Sequence, residues 1–343
     1  MRARGISYDT GFIRGPGRSR ERFEPEVVRR ELAIIRDDLH CTAVRIIGGD
    51  PDRLERAATI AAGLGLEVWF SPYPLERTRE EMLALFADCA RRAERIRRGG
   101  AEVVFVTGAE LSIMNPGFLP GTTVDDRLAR LLDGADRARE ALGAVGPRVN
   151  AFLAEAVAAV REHFGGPVTY ASIHFERVDW TPFDLVGVDL YRSAEIADGF
   201  RAGVRALAAH DKPVAITEFG TAAYRGAGDR GARVLEVLVT DPETGAPVRL
   251  DGTYERDEAG QAAYLRELLE VFDAEGIDAA FVFLFALYDH PHREDDPRRD
   301  LDLASPGIVK VLAGRDGATY PGLPWEPKEA FAELAGIYGV STR

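Results

Sequence analysis

Two glutamates carry the most suggestive chemistry in the chain, because each follows directly on a short β-type run: Val104-Phe-Val-Thr-Gly-Ala-Glu110 and Val214-Ala-Ile-Thr-Glu218-Phe-Gly220. A carboxylate at the end of an apolar strand loses solvation and packs poorly, so it requires a partner or a purpose. Two carboxylates facing each other across a cleft suit glycoside hydrolysis. Other polar residues hold comparable strand-end positions: Asp9, Arg45, His174, Asp189 with Tyr191, and Tyr288 with Asp289. Tyr73 and Trp180 lie beyond strand ends as well, where a flat aromatic side chain can stack on a sugar ring.

These residues need elements that gather strand ends at one place. Eight β-rich runs alternate with amphipathic helical stretches, beginning near residues 4, 43, 66, 102, 168, 185, 212 and 280. The helical stretches show the expected periodicity and caps. Val28, Leu32, Ile35 and Leu39 step by four, three and four; Asp50-Pro51 is an N-cap with a first-turn proline; Thr78-x-x-Glu81 is a capping box. Strand four leads through a loop to about Thr123 and then into helical stretches as far as Arg161. Apolar strands each followed by a helix indicate a parallel sheet, and eight of them predict a (β/α)8 TIM barrel, in which chemistry sits at the C-terminal strand ends. The predicted domain is single, residues 1–343 with long βα loops. It includes a hairpin-like excursion at about 221–256 and a C-terminal helix at about 328–338. The excursion lies beside Glu218 and would wall the cleft, which favours a small glycoside or glycosylated metabolite over a long polysaccharide.

Composition narrows the partners. The 343 residues carry 43 Lys plus Arg against 56 Asp plus Glu, a net charge of −13. Such a surface disfavours nucleic acid and membranes. No GxGxxG follows the first strand, and Cys41 and Cys89 stand apart from each other with no CxxC spacing. The acidic loop Asp289-His290-Pro-His292-Arg-Glu294-Asp295-Asp296 holds metal-ligand residue types in no metal-motif spacing, so it is read as a solvated lid; neither metal nor cofactor is expected. The basic start MRARGISYDTGF lacks the apolar stretch of a secretory signal, and a cytoplasmic location is expected.

On Val44-Arg45-Ile46, Gly-Ala-Glu110, Asp189-Leu-Tyr191 and Thr-Glu218-Phe-Gly, the chain resembles the clan A glycoside hydrolases, retaining enzymes on (β/α)8 barrels. The resemblance implies that Glu110 is the acid/base and Glu218 the nucleophile, with Arg45 and Tyr191 holding Glu218 ionised. It departs from the clan at Ala109, where the clan usually has an Asn that holds the sugar 2-hydroxyl. It departs again at strand eight, where Phe285 or Tyr288 would have to replace an aromatic platform. These departures leave open an alternative, a non-hydrolytic carbohydrate-binding or regulatory pseudoenzyme. The chain also resembles a set of barrel proteins described as abortive phage infection proteins, through Thr-Glu218-Phe-Gly, Arg256-Asp-Glu-Ala-Gly-Gln261 and Asp300-Leu-Asp-Leu-Ala-Ser-Pro-Gly307, which implies no mechanism.

Overall fold

The structure, a computed structural model, describes residues 1–132, 142–241 and 244–340. Part of the helical stretch expected before Arg161 (133–141) and two residues of the hairpin turn (242 and 243) lie outside them. Eight strands form the barrel: β1 Ala3–Asp9, β2 Ala43–Gly48, β3 Glu67–Pro72, β4 Val103–Ala109, β5 Val168–Ala171, β6 Val186–Asp189, β7 Val214–Phe219 and β8 Ala279–Val282. All neighbours pair in parallel, in the order β5-β4-β3-β2-β1-β8-β7-β6. The ring closes where Ser172, just past β5, bridges to Val188 of β6: the Ser172 amide donates to Gly187 O at 3.1 Å and the Asp189 amide to Ser172 O at 2.8 Å.

Alternation along each strand splits the apolar residues into two layers. Ala43, Trp69, Val104, Val106, Ala171, Ala215 and Phe281 fill the lumen. Val44, Ile46, Val68, Phe70, Phe105, Tyr170, Ile216 and Val282 face the helices. Trp69 and Phe281 plug the barrel with ring centroids 4.6 Å apart. Gly5 is required opposite them, because a Cβ there would lie 2.3 Å from the Phe281 ring.

The outer layer comprises α1 Pro25–Asp37, α2 Pro51–Gly63, α3 Arg79–Arg98, α4 Leu111–Met114, α5 Val124–Leu132, α6 Val145–Arg161, α7 Ala197–Ala208, α8 Glu258–Ala274 and α9 Glu329–Val340. Asp50 caps α2 through the Asp52 and Arg53 amides, and the Thr78–Glu81 capping box opens α3. One expectation fails. The segment after β5 carries only the 3-10 turn His174–Glu176, not a helix. Its few residues include Pro182 and must also return the chain to the start of β6, which leaves no room for the usual three turns. After β7, Leu238–Thr240 and Pro247–Leu250 pair as an antiparallel hairpin. Among the described residues, no helix is long and apolar enough to cross a membrane.

Candidate active site

Arg45 projects from β2 into the lumen and is fully buried. Its Nε donates to Ser71 Oγ on β3 at 3.1 Å, while Nη1 spans to β7, donating to Thr217 O at 3.0 Å and Glu218 Oε1 at 2.8 Å. Tyr191, two residues past β6, donates its hydroxyl to the other Glu218 oxygen at 3.2 Å. Both carboxylate oxygens of Glu218 are thus held by donors, one of them a cation. Asp189 shares that cation: its Oδ1 lies 4.0 Å from Arg45 Nη1 and accepts from Thr217 Oγ1 at 2.6 Å. The ladder shifts register between Val188 and Asp189, between Val106 and Ala109, and between Ala280 and Val282, so β4, β6 and β8 each carry an irregularity near the site end. Such irregularities re-aim side chains at barrel rims.

Glu110 is the first residue beyond β4 and stands half-buried at the mouth. Its backbone adopts φ 44°, ψ 40°, a left-handed conformation that costs a non-glycine residue roughly 1–3 kcal/mol and persists only where the surroundings impose it. They do so through its amide, which donates to Ala171 O at 2.9 Å, and its carbonyl, which accepts from the Ile113 and Met114 amides at 2.9 and 3.0 Å.

The two glutamates occupy opposed environments. Burial, then the nearby negative charges of Glu218 and Glu176, push the Glu110 carboxyl up to about 8, with Arg45 only partly opposing. Burial also raises Glu218, and the charge and hydrogen bond of Arg45 with the Tyr191 hydroxyl offset only part of that rise. Of the coupled pair, Glu110 therefore keeps the proton. Tyr73 and Tyr191 lie in the same field: burial first, then the Glu218 charge, raises both phenols well above their ordinary value.

Six expected site residues are thus brought together: Arg45, Tyr73, Glu110, Asp189, Tyr191 and Glu218. Asp9 sits deep at the end of β1, where its two oxygens accept from the Gly11 amide at 2.7 Å and Ser19 Oγ at 2.6 Å; it shapes the first loop. Burial raises it to about 6 against those two hydrogen bonds. His174 is exposed on the turn after β5, with its ring edge-on to Phe175. Asp289 pairs with His290 Nδ1 at 2.7 Å, and His292 with Asp300 at 2.9 Å.

Three aromatic expectations require correction. Trp180 lies at the opposite end of the barrel, its carbonyl accepting from Lys212, two residues before the start of β7, and its ring against Phe183 at 5.4 Å. The chain after β5 has already turned back toward the N-terminal strand ends by that point. Phe285 is fully buried in the outer layer between Tyr8 and Trp325: the Phe283 amide still donates to Phe219 O at 2.8 Å, one residue past the end of β8, but Phe285 lies beyond that rung and its lumen-facing alternation. Tyr288 faces α1, donating to Glu31 and lying under the Arg20 guanidinium at 4.3 Å.

Two residues were missed. Phe283 is half-buried, immediately past β8 and one alternation beyond the lumen residue Phe281, so its register places it at the mouth. That period of two was readable. Glu176 is fully buried beside Glu110's segment, and nothing in its sequence neighbourhood announces that.

The loops also meet above the cleft. Phe12 of the first loop packs edge-on against Tyr73 at 4.9 Å, and Phe12, Leu75 and Met114 cover the lumen cluster from loops one, three and four. Arg14 reaches Asp125 of α5 at 2.7 Å, and its guanidinium lies against Gly245 in the hairpin after β7, 3.1 Å from where a Cβ would stand.

No family model and no curated protein matches the chain. Solved structures do, with glycoside hydrolases of this barrel fold among them. A GH113 β-1,4-mannanase aligns over 100% of both chains at 16% identity with a TM-score of 0.63. The GH113 β-mannanase AaManA from Alicyclobacillus acidocaldarius, in complex with ManMIm, covers 98% of this chain and 97% of its own at 16% identity and TM-score 0.59. Cel5A of Thermotoga maritima, in complex with cellobiose, covers 88% and 97% at 13% identity and TM-score 0.53. At these identities the likeness establishes the shared (β/α)8 barrel, with function to be argued from the site.

Proposed function

We propose that this protein is a retaining glycoside hydrolase acting on a small glycoside or glycosylated metabolite, with Glu110 as acid/base and Glu218 as nucleophile. The observation that carries the proposal is the asymmetry of the pair: Arg45 and Tyr191 donate to the two oxygens of Glu218, while Glu110 is held protonated beside it. In the first step a Glu218 oxygen bonds the anomeric carbon, the glycosidic C–O bond breaks, and the Glu110 proton passes to the leaving oxygen. In the second, water attacks the anomeric carbon, gives its proton to Glu110, and releases Glu218. The joined loops at Arg14, Asp125 and Gly245 favour a small substrate. The solved relatives' reported complexes with ManMIm and cellobiose support a carbohydrate ligand. Two buried thiols fit a reducing, cytoplasmic setting.

Ala109, fully buried in the lumen layer, offers no side-chain donor to a sugar and favours the second reading, a carbohydrate-binding pseudoenzyme. A panel of nitrophenyl glycosides separates the two. In an enzyme, Glu218→Gln abolishes turnover of the accepted glycoside; in a binder, the panel yields no turnover while saturable sugar binding survives the substitution.

A further inference from the structure

One buried carboxylate has no part in the two-glutamate scheme. Glu176 closes the turn His174–Glu176 and is wholly buried, yet its contacts are neutral donors: the Ser112 amide on Oε1 at 3.0 Å, and the Tyr170 hydroxyl at 2.8 Å and the Ile173 amide at 3.4 Å on Oε2. The Tyr170 hydroxyl in turn accepts from the Leu111 amide at 2.7 Å. Leu111 and Ser112 are the two residues directly after Glu110. Their amides, which the short helix α4 leaves unsatisfied at its start, both end on the Tyr170–Glu176 pair. The left-handed backbone of Glu110 is therefore pinned on its C-terminal side by this pair and on its N-terminal side by the Ala171 carbonyl.

A neutral acceptor would satisfy those amides equally well. An ionisable group in that place adds a charge when ionised: burial raises the Glu176 carboxyl, and the Ser112, Tyr170 and Ile173 donors work against that rise by holding the ionised form. Facing Glu110 are Glu218 from β7, Asp189 and Tyr191 from the sixth strand and its loop, Tyr73 from the third, and, as the cation among the described residues, Arg45 from β2. We propose that Glu176 is a positioning residue for the acid/base step: it fixes Glu110 through Tyr170 and the two following amides, and its buried charge keeps the Glu110 proton in place until a leaving oxygen takes it. This rests on the reading of Glu110 as acid/base. It extends that reading to a residue that touches no substrate.

The test compares Glu176→Gln, which keeps an acceptor for Ser112 and removes the charge, with Tyr170→Phe, which cuts the link to Leu111 and leaves the charge. Full pH profiles of kcat/KM are measured on glycosides with leaving groups from dinitrophenol to an alkyl alcohol. Glu176→Gln should move the basic limb down by on the order of one pH unit. It should also slow the alkyl glycoside about tenfold or more, a loss that shrinks as the leaving group improves and needs less protonation. Tyr170→Phe should reproduce the leaving-group dependence with the basic limb unmoved. A merely structural Glu176 would instead lower kcat equally for all leaving groups in parallel with a lower melting temperature, and that outcome overturns the proposal. If the wild type cleaves nothing, the acid/base reading falls separately. The Glu110 carboxyl titration, followed by carbon NMR with Glu110→Gln for assignment, then decides the charge effect alone: an unchanged titration in Glu176→Gln overturns it.

Discussion

Replacing Arg45 by methionine removes the cation that acts on Glu110, Asp189 and Glu218 while keeping much of the side chain's volume. The guanidinium lies 2.8 Å from Glu218 Oε1 and 4.0 Å from Asp189 Oδ1, and it is wholly buried. At about 4 Å and an effective dielectric near 20, a unit charge pair is worth about 4 kcal/mol. Losing that attraction raises the pKa of Glu218, so that protons compete with its role as nucleophile. Allowing for the remaining Tyr191 hydrogen bond and partial relaxation, about 3–4 kcal/mol of transition-state stabilisation disappears, roughly a 10²- to 10³-fold fall in kcat/KM. The acid limb of the pH profile, which reports ionisation of the nucleophile, must move to higher pH, so the fall is smaller in alkali than at neutrality. The assay is steady-state hydrolysis of a dinitrophenyl glycoside from pH 4 to 10, on protein whose fold is checked by circular dichroism. Activity within about threefold of wild type, with the acid limb unmoved, would refute the reasoning.

Other outcomes follow from the same geometry. Glu110 titrates near 8 in the fold against an ordinary 4.5, so the folded state binds the extra proton between those values and stability falls as pH rises through them. Glu110→Gln should therefore raise the melting temperature more at pH 8 than at pH 4; an equal rise at both contradicts the assignment. Glu94 behaves oppositely: its hydrogen bonds to Arg97, to the Gly165 amide and to Arg98 outweigh burial and hold it at about 2, so its contribution is present above pH 4.5 and lost toward pH 2. In Glu94→Gln, acid melts should lose that part of the pH dependence. Phe283→Ala should raise KM several-fold with a smaller effect on kcat if the ring bears on bound sugar; unchanged kinetics remove it from the site. Among the described residues no three His, Cys, Asp or Glu side chains are grouped to hold a metal, and activity should survive prolonged treatment with a chelator; loss restored by a divalent cation would revive the Asp289, His290 and His292 loop as a site.

How much was legible in the sequence depended on whether local pattern or tertiary closure decided the outcome. Arg45, Glu110, Asp189 and Glu218 were readable because a polar residue interrupting or ending an apolar strand has only the barrel mouth to go to. The helix starts at Asp50 and Thr78 were readable because capping is chemistry within four residues. Trp180 and Phe285 were misplaced because each lies three or more residues beyond the end of its strand, where alternation no longer binds side-chain direction. Glu176 was hidden for another reason: its partners Ser112 and Tyr170 approach it only after β4 and β5 have paired.

The most direct measurement of the central claim is covalent trapping. A 2-deoxy-2-fluoro glycoside with a dinitrophenyl leaving group, built on whichever sugar the panel selects, slows both steps but, because its leaving group is so good, lets the glycosyl-enzyme accumulate. Intact mass followed by peptide mapping should find one fluorosugar esterified to Glu218 and none in Glu218→Gln. An ester on another residue, or turnover with inverted anomeric configuration and no adduct, would contradict the account.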